Sequence, residues 1–221
     1  MTKYKVQMRY INLIWTFLFE YYIFEQYFLM LHKYMLLFLC NIGGDMIKSQ
    51  PIKTTHEIHM MKTYLLNERT RDYLLFVLGI NIPMKLQELL ELKYRDLVFK
   101  DGCYQFIVND YTIYLNKEDS SILKRFVATK SPDDYIFESM KTKSPLTRQQ
   151  FHRILSAAST AIGCKHSIGP QALKKTFAYH AYLQGIHIFD LMHILGHNTK
   201  SETYRFIDVN PPDHKTIQIN L

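Results

Sequence analysis

From about residue 51 onward, short apolar runs alternate with turn-forming residues, and the spacing predicts helices broken by a few short strands. Helices are expected over about 54–66, 70–80 and 85–93, the last with Pro83 just ahead of it, where proline suits a helix start. Strands are expected near 95–99, 103–108 and 111–115, with Asp101-Gly102 and Asn109-Asp110 as the turns between them. A helix around 117–129 and a short strand Tyr135–Phe137 follow. Three more helices, about 147–162, 170–184 and 188–195, stop at Gly163, Gly185 and Gly196. A short helix over 199–207 leads into a tail whose Pro211-Pro212 favours extended chain. The sum is a mainly helical α+β domain with a small antiparallel sheet.

Residues 1–45 break this pattern, with twelve aromatic residues before Gly43. Lys3, Lys5 and Arg9 precede an apolar stretch from Ile11 to Phe19, but Glu20 and Glu25 interrupt it. The stretch falls short of the ~18 apolar residues of a spanning helix, so a membrane partner is disfavoured. No small-x-small cleavage site marks a signal peptide. The residue types are those of A/T-rich codons, and Gly43-Gly44-Asp45-Met46 can be written as a ribosome-binding site followed by a start codon. Met46 is therefore the expected start, with 1–45 an apolar leader outside the native coding sequence and 46–221 the domain. The alternative is an added helical segment on that domain.

The chain carries 27 Lys and Arg against 20 Asp and Glu, a net charge of +7. Residues 1–45 hold four basic and three acidic residues, so +6 stays with residues 46–221. That balance favours a nucleic-acid partner. Lys93/Arg95 and Lys124/Arg125 read as solvated helix faces. Lys141, Lys143, Arg148 and Arg153 read as a phosphate-contacting group, because they bracket a Ser144-Pro145 loop and a helix opening at Thr147, a natural N-cap. Cys40, Cys103 and Cys164 are widely spaced and form no disulfide or metal pattern, as expected in a reducing cytoplasm. His193 and His197 lie four apart, but Gly196 intervenes and no carboxylate or cysteine completes a ligand set. No metal, cofactor or small-molecule ligand is expected.

Residues 195–206, LGHNTKSETYRF, carry the most specific pattern. Together with ELLELKYRDL, FIVNDYTIYLN, the DDYIFES to AASTAIG stretch and GPQALKKTFAYHAYL, all in order over about 51–210, they resemble the catalytic domain of the tyrosine recombinase (phage integrase) family. The resemblance implies a DNA partner and a phosphoryl transfer onto a tyrosine, with arginines clamping the phosphate. It also implies that the family's N-terminal core-binding domain is missing between Met46 and Pro51, leaving half a DNA clamp. Position by position, Lys85 stands for the first arginine, Gln171 for a histidine and Lys174 for the second arginine. His197 is kept, and Phe206 stands for the nucleophilic tyrosine. The lysine of the β-hairpin has no clear counterpart; Asn109 sits nearest.

A phenyl ring cannot attack a phosphodiester. Lysine for arginine keeps charge but loses the planar fork that grips two oxygens. Glutamine for histidine loses acid–base function near neutral pH. Tyr204 lies two residues before Phe206, which on a helix is a rotation of roughly 200°, onto the opposite face. The expectation is a cytoplasmic pseudoenzyme of recombination, a regulator or a mobile-element remnant, that binds DNA through Lys85, Lys141, Lys143, Arg148, Arg153, Lys174 and Lys175. Two alternatives stand beside it. One is an active divergent recombinase using Tyr204. The other is an interaction module whose tail, Ile217–Leu221, docks on a full-length recombinase or on a second copy.

Overall fold

The computed structural model describes residues 49–164 and 166–211, within a unit running from Ser49 to Leu221. The expectations for residues 1–45 and for the tail Ile217–Leu221 lie outside the described residues.

Helix α1 (Thr55–Glu68) begins at Thr54, whose hydroxyl accepts from the Glu57 amide. Helix α2 (Thr70–Asn81) follows after one extended residue, Arg69. Every residue from Asp72 to Ile80 in α2 is buried, so this helix is covered on all sides. It lies at the centre of the domain. Around it pack α1, the short α3 (Leu86–Leu90), α4 (Lys117–Val127) and α6 (Pro170–Leu183). The approach to α6 is tight: a Cβ on Gly79 would stand 2.6 Å from Leu173 Cδ1.

The sheet is an antiparallel meander of β1 (Val98–Lys100), β2 (Cys103–Val108) and β3 (Tyr111–Tyr114). Lys100 pairs with Cys103 and Val108 with Tyr111, so each link is a two-residue turn. Asp101, Gly102, Asn109 and Asp110 all have positive φ, the backbone that two-residue hairpins need for their strand twist. Tyr104 and Phe106 point into the core, while Ile107 and Tyr114 face solvent.

Helix α4 starts at Asn116, whose side chain accepts from the Asp119 amide at 2.8 Å. The Asp119 carboxylate is buried and takes three donors: the Tyr73 hydroxyl, Asn116 Nδ2 and Lys62 Nζ at 3.1 Å. Burial, reinforced by that carboxylate, holds the Tyr73 phenol well above its ordinary pKa. These donors offset the desolvation of a charge inside the core.

Helix α5 (Arg148–Ala161) opens at Thr147 with a reciprocal cap: its hydroxyl accepts from the Gln150 amide, and Gln150 Oε1 accepts from the Thr147 amide at 2.8 Å. Helices α6, α7 (Ile188–Leu195) and α8 (Lys200–Ile207) then form a second, smaller cluster. Ala178, Leu195 and Ile207 are its buried centre, with Phe177, Tyr182, Tyr204 and Phe206 packed around them. The chain preceding α1 ties this cluster down. The Ile52 amide donates to Thr176 Oγ1 at 2.8 Å, and Lys53 Nζ meets Asp208 Oδ2 at 2.6 Å.

Three expectations need correction. Tyr135–Phe137 is no strand: Tyr135 makes a single bridge to Lys93, and Ile136 donates once to the Leu92 carbonyl. The strand expected at 95–99 is a 3-10 turn, Tyr94–Asp96, followed by β1; the Asp96 carboxylate accepts from the Lys93 amide and curls the chain there. The helix expected over 85–93 ends at Leu90, since Leu92 and Lys93 turn their backbone to residues 135 and 136.

Candidate DNA-phosphate site

Four side chains from three elements line one cavity of about 250 Å³: Lys85, Arg148, Gln171 and Lys174. Lys85 comes from the turn entering α3, Arg148 is the first residue of α5, and Gln171 and Lys174 belong to α6. Gly79 and Leu173 are part of the wall, so the tight α2–α6 crossing sets where α6 presents its polar residues. The α6 N-cap is Gly169, which offers no side-chain acceptor to the first amides, and Pro170 occupies the first helical position. The positive ends of α5 and α6 thus lie at the cavity together with three cationic side chains.

These cations are in different states. Lys85 is exposed, with its side chain 83 % accessible, and meets Glu88 Oε1 at 3.7 Å, a weak surface pair. Lys174 is half-buried, and its Nζ donates to the Leu195 carbonyl at 3.4 Å. Burial lowers its pKa; Glu88 pulls the other way and Lys85 adds to the lowering. Arg148 is exposed and has no hydrogen-bond or ion-pair partner among the described residues.

His197 stands at the end of α7, behind Gly196, whose φ of 73° closes that helix, and is near enough to Lys174 to feel its charge. Its Nδ1 lies 3.0 Å from Thr203 Oγ1. The Thr203 hydroxyl also lies 3.3 Å from the Thr199 carbonyl, so it links the His197 ring to the first turn of α8. Burial lowers the His197 pKa; Glu202 opposes that and Lys174 adds to it. The Phe206 ring meets the imidazole edge-on, with centroids 5.0 Å apart and planes at 72°. The Phe206 side chain therefore lies against His197, and it carries no oxygen.

Tyr204 lies elsewhere. Helix α8 is regular through both positions, and the Tyr204 ring packs edge-on against Tyr182 of α6 at 5.9 Å. Burial, with Tyr182 beside it, raises its phenol pKa, the opposite of what an activated nucleophile needs.

The remaining sequence-derived residues scatter. Lys175 points inward, with Nζ on the Ser49 carbonyl and 5.5 Å from the Phe206 ring centroid. Lys143 pairs with Glu138 Oε1 at 3.1 Å and lines a separate cavity of about 570 Å³ with Arg69, Arg71 and Lys130. Lys141 and Arg153 are exposed. Asn109, at the hairpin tip, donates its side-chain amide to the carbonyls of His193 and Ile194 at 3.1 and 3.2 Å. It caps α7 instead of reaching into the cavity, and Tyr111 Oη reinforces the docking on Asp190 at 3.1 Å. Sequence reasoning had grouped Arg148 with its neighbours along the chain and missed that it shares a cavity with Lys85 and Lys174. The signal available was its place one residue after the N-cap Thr147.

Comparison with known proteins identifies the family and the fold. The model of the phage integrase family matches residues 54–212. The probable integrase/recombinase YoeC of Bacillus subtilis is 33 % identical over 164 residues, covering 73 % of this chain and 90 % of that protein. A tyrosine recombinase of Pseudothermotoga lettingae is 29 % identical, covering 63 % of this chain and 50 % of that protein. Among solved structures, the XerH site-specific recombinase bound to its difH substrate superposes with a TM-score of 0.61 at 20 % identity, over 76 % of this chain and 53 % of that one. The chain thus spans about half the length of some of these relatives and nearly all of YoeC. It belongs to the phage integrase family, and its fold is that of a tyrosine recombinase catalytic domain.

Proposed function

We propose that this protein binds DNA at the recombinase phosphate site and takes part in recombination without cutting strands. The observation that carries this reading is the Phe206 ring, set edge-on to His197 where a nucleophilic hydroxyl would be required. The surrounding inventory supports it. Lys85 and Lys174 give charge without the fork, and Gln171 gives hydrogen bonds without a proton to exchange. Tyr204 as a substitute nucleophile is disfavoured by its packing against Tyr182. DNA as the partner is supported by family membership, by the relative solved with its difH substrate, and by the net charge of +7.

The role fits a regulator of recombination or a mobile-element remnant, acting in the cytoplasm beside a full-length recombinase or a second copy of itself. The test is equilibrium binding of a short DNA duplex to the full chain over a range of salt concentrations. Expected affinity is about the non-specific range, 10⁻⁴–10⁻⁶ M, falling steeply with salt. Changing Lys85 and Lys174 together to Ala should weaken binding and flatten the salt dependence. Binding that ignores salt, or a double variant that binds like the parent, overturns the reading.

A further inference from the structure

We propose that Arg148 supplies the guanidinium of this phosphate site, replacing from the α5 N-terminus the fork lost at Lys85 and Lys174. The assignment rests on the proposed DNA-binding reading and adds to it the group that grips the phosphate.

Four observations converge on Arg148. It lines the same cavity as Lys85, Gln171 and Lys174, although 63 residues separate it from Lys85 and 26 from Lys174 along the chain. Its side chain has no hydrogen-bond or ion-pair partner among the described residues, whereas Lys85 is paired with Glu88 and Lys174 is turned to the Leu195 carbonyl. Of the three cations, its donors are thus the ones left uncommitted. Its backbone is fixed, because Thr147 and Gln150 cap α5 reciprocally and place residue 148 in the first turn. And it is the arginine among the cavity residues, with planar donors able to hold two oxygens of one phosphate at once.

Charge gives the ligand class. Lys85, Lys174 and Arg148 face one carboxylate, Glu88, leaving the cavity with an excess of two positive charges. The positive ends of two 14-residue helices add to that. A phosphate oxygen pair fits this surround. The contact carries no sequence information, because it reads the backbone of the nucleic acid and not the bases.

The test uses the full chain and a short DNA duplex, with R148A, R148K, the control R125A, and K85R built into R148A. Arg125 is exposed on α4 and removes the same charge away from the cavity. R148A is expected to weaken binding roughly five- to tenfold and to lower the salt slope by about one unit, with R125A close to the parent. R148K is expected to restore the slope but not the affinity at high salt, because charge returns without the fork. K85R is expected to recover much of the loss in R148A, because it returns a guanidinium to the same phosphate. Circular dichroism on each variant separates lost binding from lost folding. R148A that behaves like R125A, or K85R that rescues nothing, overturns the assignment while leaving the DNA-binding reading in place. A parent chain that binds no duplex at all overturns both.

Discussion

The domain holds two apolar clusters of unequal size among the described residues, and they differ in what they support. The larger surrounds α2, where residues 72–80 are buried without a break and a buried carboxylate, Asp119, is fully provided with donors. The smaller has Ala178, Leu195 and Ile207 at its centre and positions the site: His197, Phe206 and the turn of α7 into α8 all hang on it. In the first, packing and polar partners agree at every level. In the second, packing holds the Gly196 turn and the Thr203 contact under His197, and on the proposed reading the side-chain ends that would do chemistry are replaced. Fold and activity are carried by different atoms. Burial fixes the backbone around His197 and Phe206 independently of what their side-chain ends can do.

That contrast predicts a ranking of effects. Leu78→Ala in α2, a side chain with no exposure, should cost about 3–5 kcal/mol in urea unfolding, and Ile207→Ala about 2–3 kcal/mol, because the smaller cluster has less around it to lose. Equal costs would mean the clusters are equally dense. Asp119→Ala removes the acceptor from Tyr73 and from Lys62, whose side chain is about a quarter exposed. A loss of roughly 2–3 kcal/mol is expected, less than for a fully buried pair, and Lys62→Met should cost less than Asp119→Ala. Gly79→Ala pushes against Leu173 at the wall of the cavity and should cost about 1–2 kcal/mol. It should also weaken DNA binding, which Leu78→Ala should not do while the protein stays folded.

The smallest effect is a pH dependence. The folded-state pKa of His197 is lowered, so the unfolded chain binds a proton more readily. Its contribution to stability is fully present above the unfolded value of about 6.5 and is lost as pH falls through the folded value. The stability difference between the parent and His197→Gln should therefore shrink between neutral pH and about pH 5. A difference that grows instead would mean His197 is stabilised as the cation.

Much of the larger cluster was legible in the sequence, because apolar spacing and turn chemistry dictate it. Asp101-Gly102 and Asn109-Asp110 marked the hairpin turns, Thr147 marked the start of α5, and Gly163, Gly185 and Gly196 marked helix ends. The misread segment, 91–97 with 135–137, makes isolated bridges and a 3-10 turn, whose short-range hydrogen bonds leave no periodic trace. At the site, the positions proposed for the nucleophile and the arginines come from the motif, residue by residue. Two things could not be read from it: that Asn109 spends its amide on the end of α7, and that Arg148 enters the cavity of Lys85 and Lys174. Both depend on where a long-range contact brings a side-chain end, and the local pattern carries no record of that.

The measurement that bears most directly on the central claim is a covalent-capture assay with a nicked suicide DNA duplex, followed by peptide mapping. The full chain should form no protein–DNA adduct, and Phe206→Tyr alone should form none either, since on the proposed reading Lys85, Gln171 and Lys174 still replace the family's groups. An adduct from the unaltered chain, with the phosphodiester mapped to Tyr204, would contradict the account.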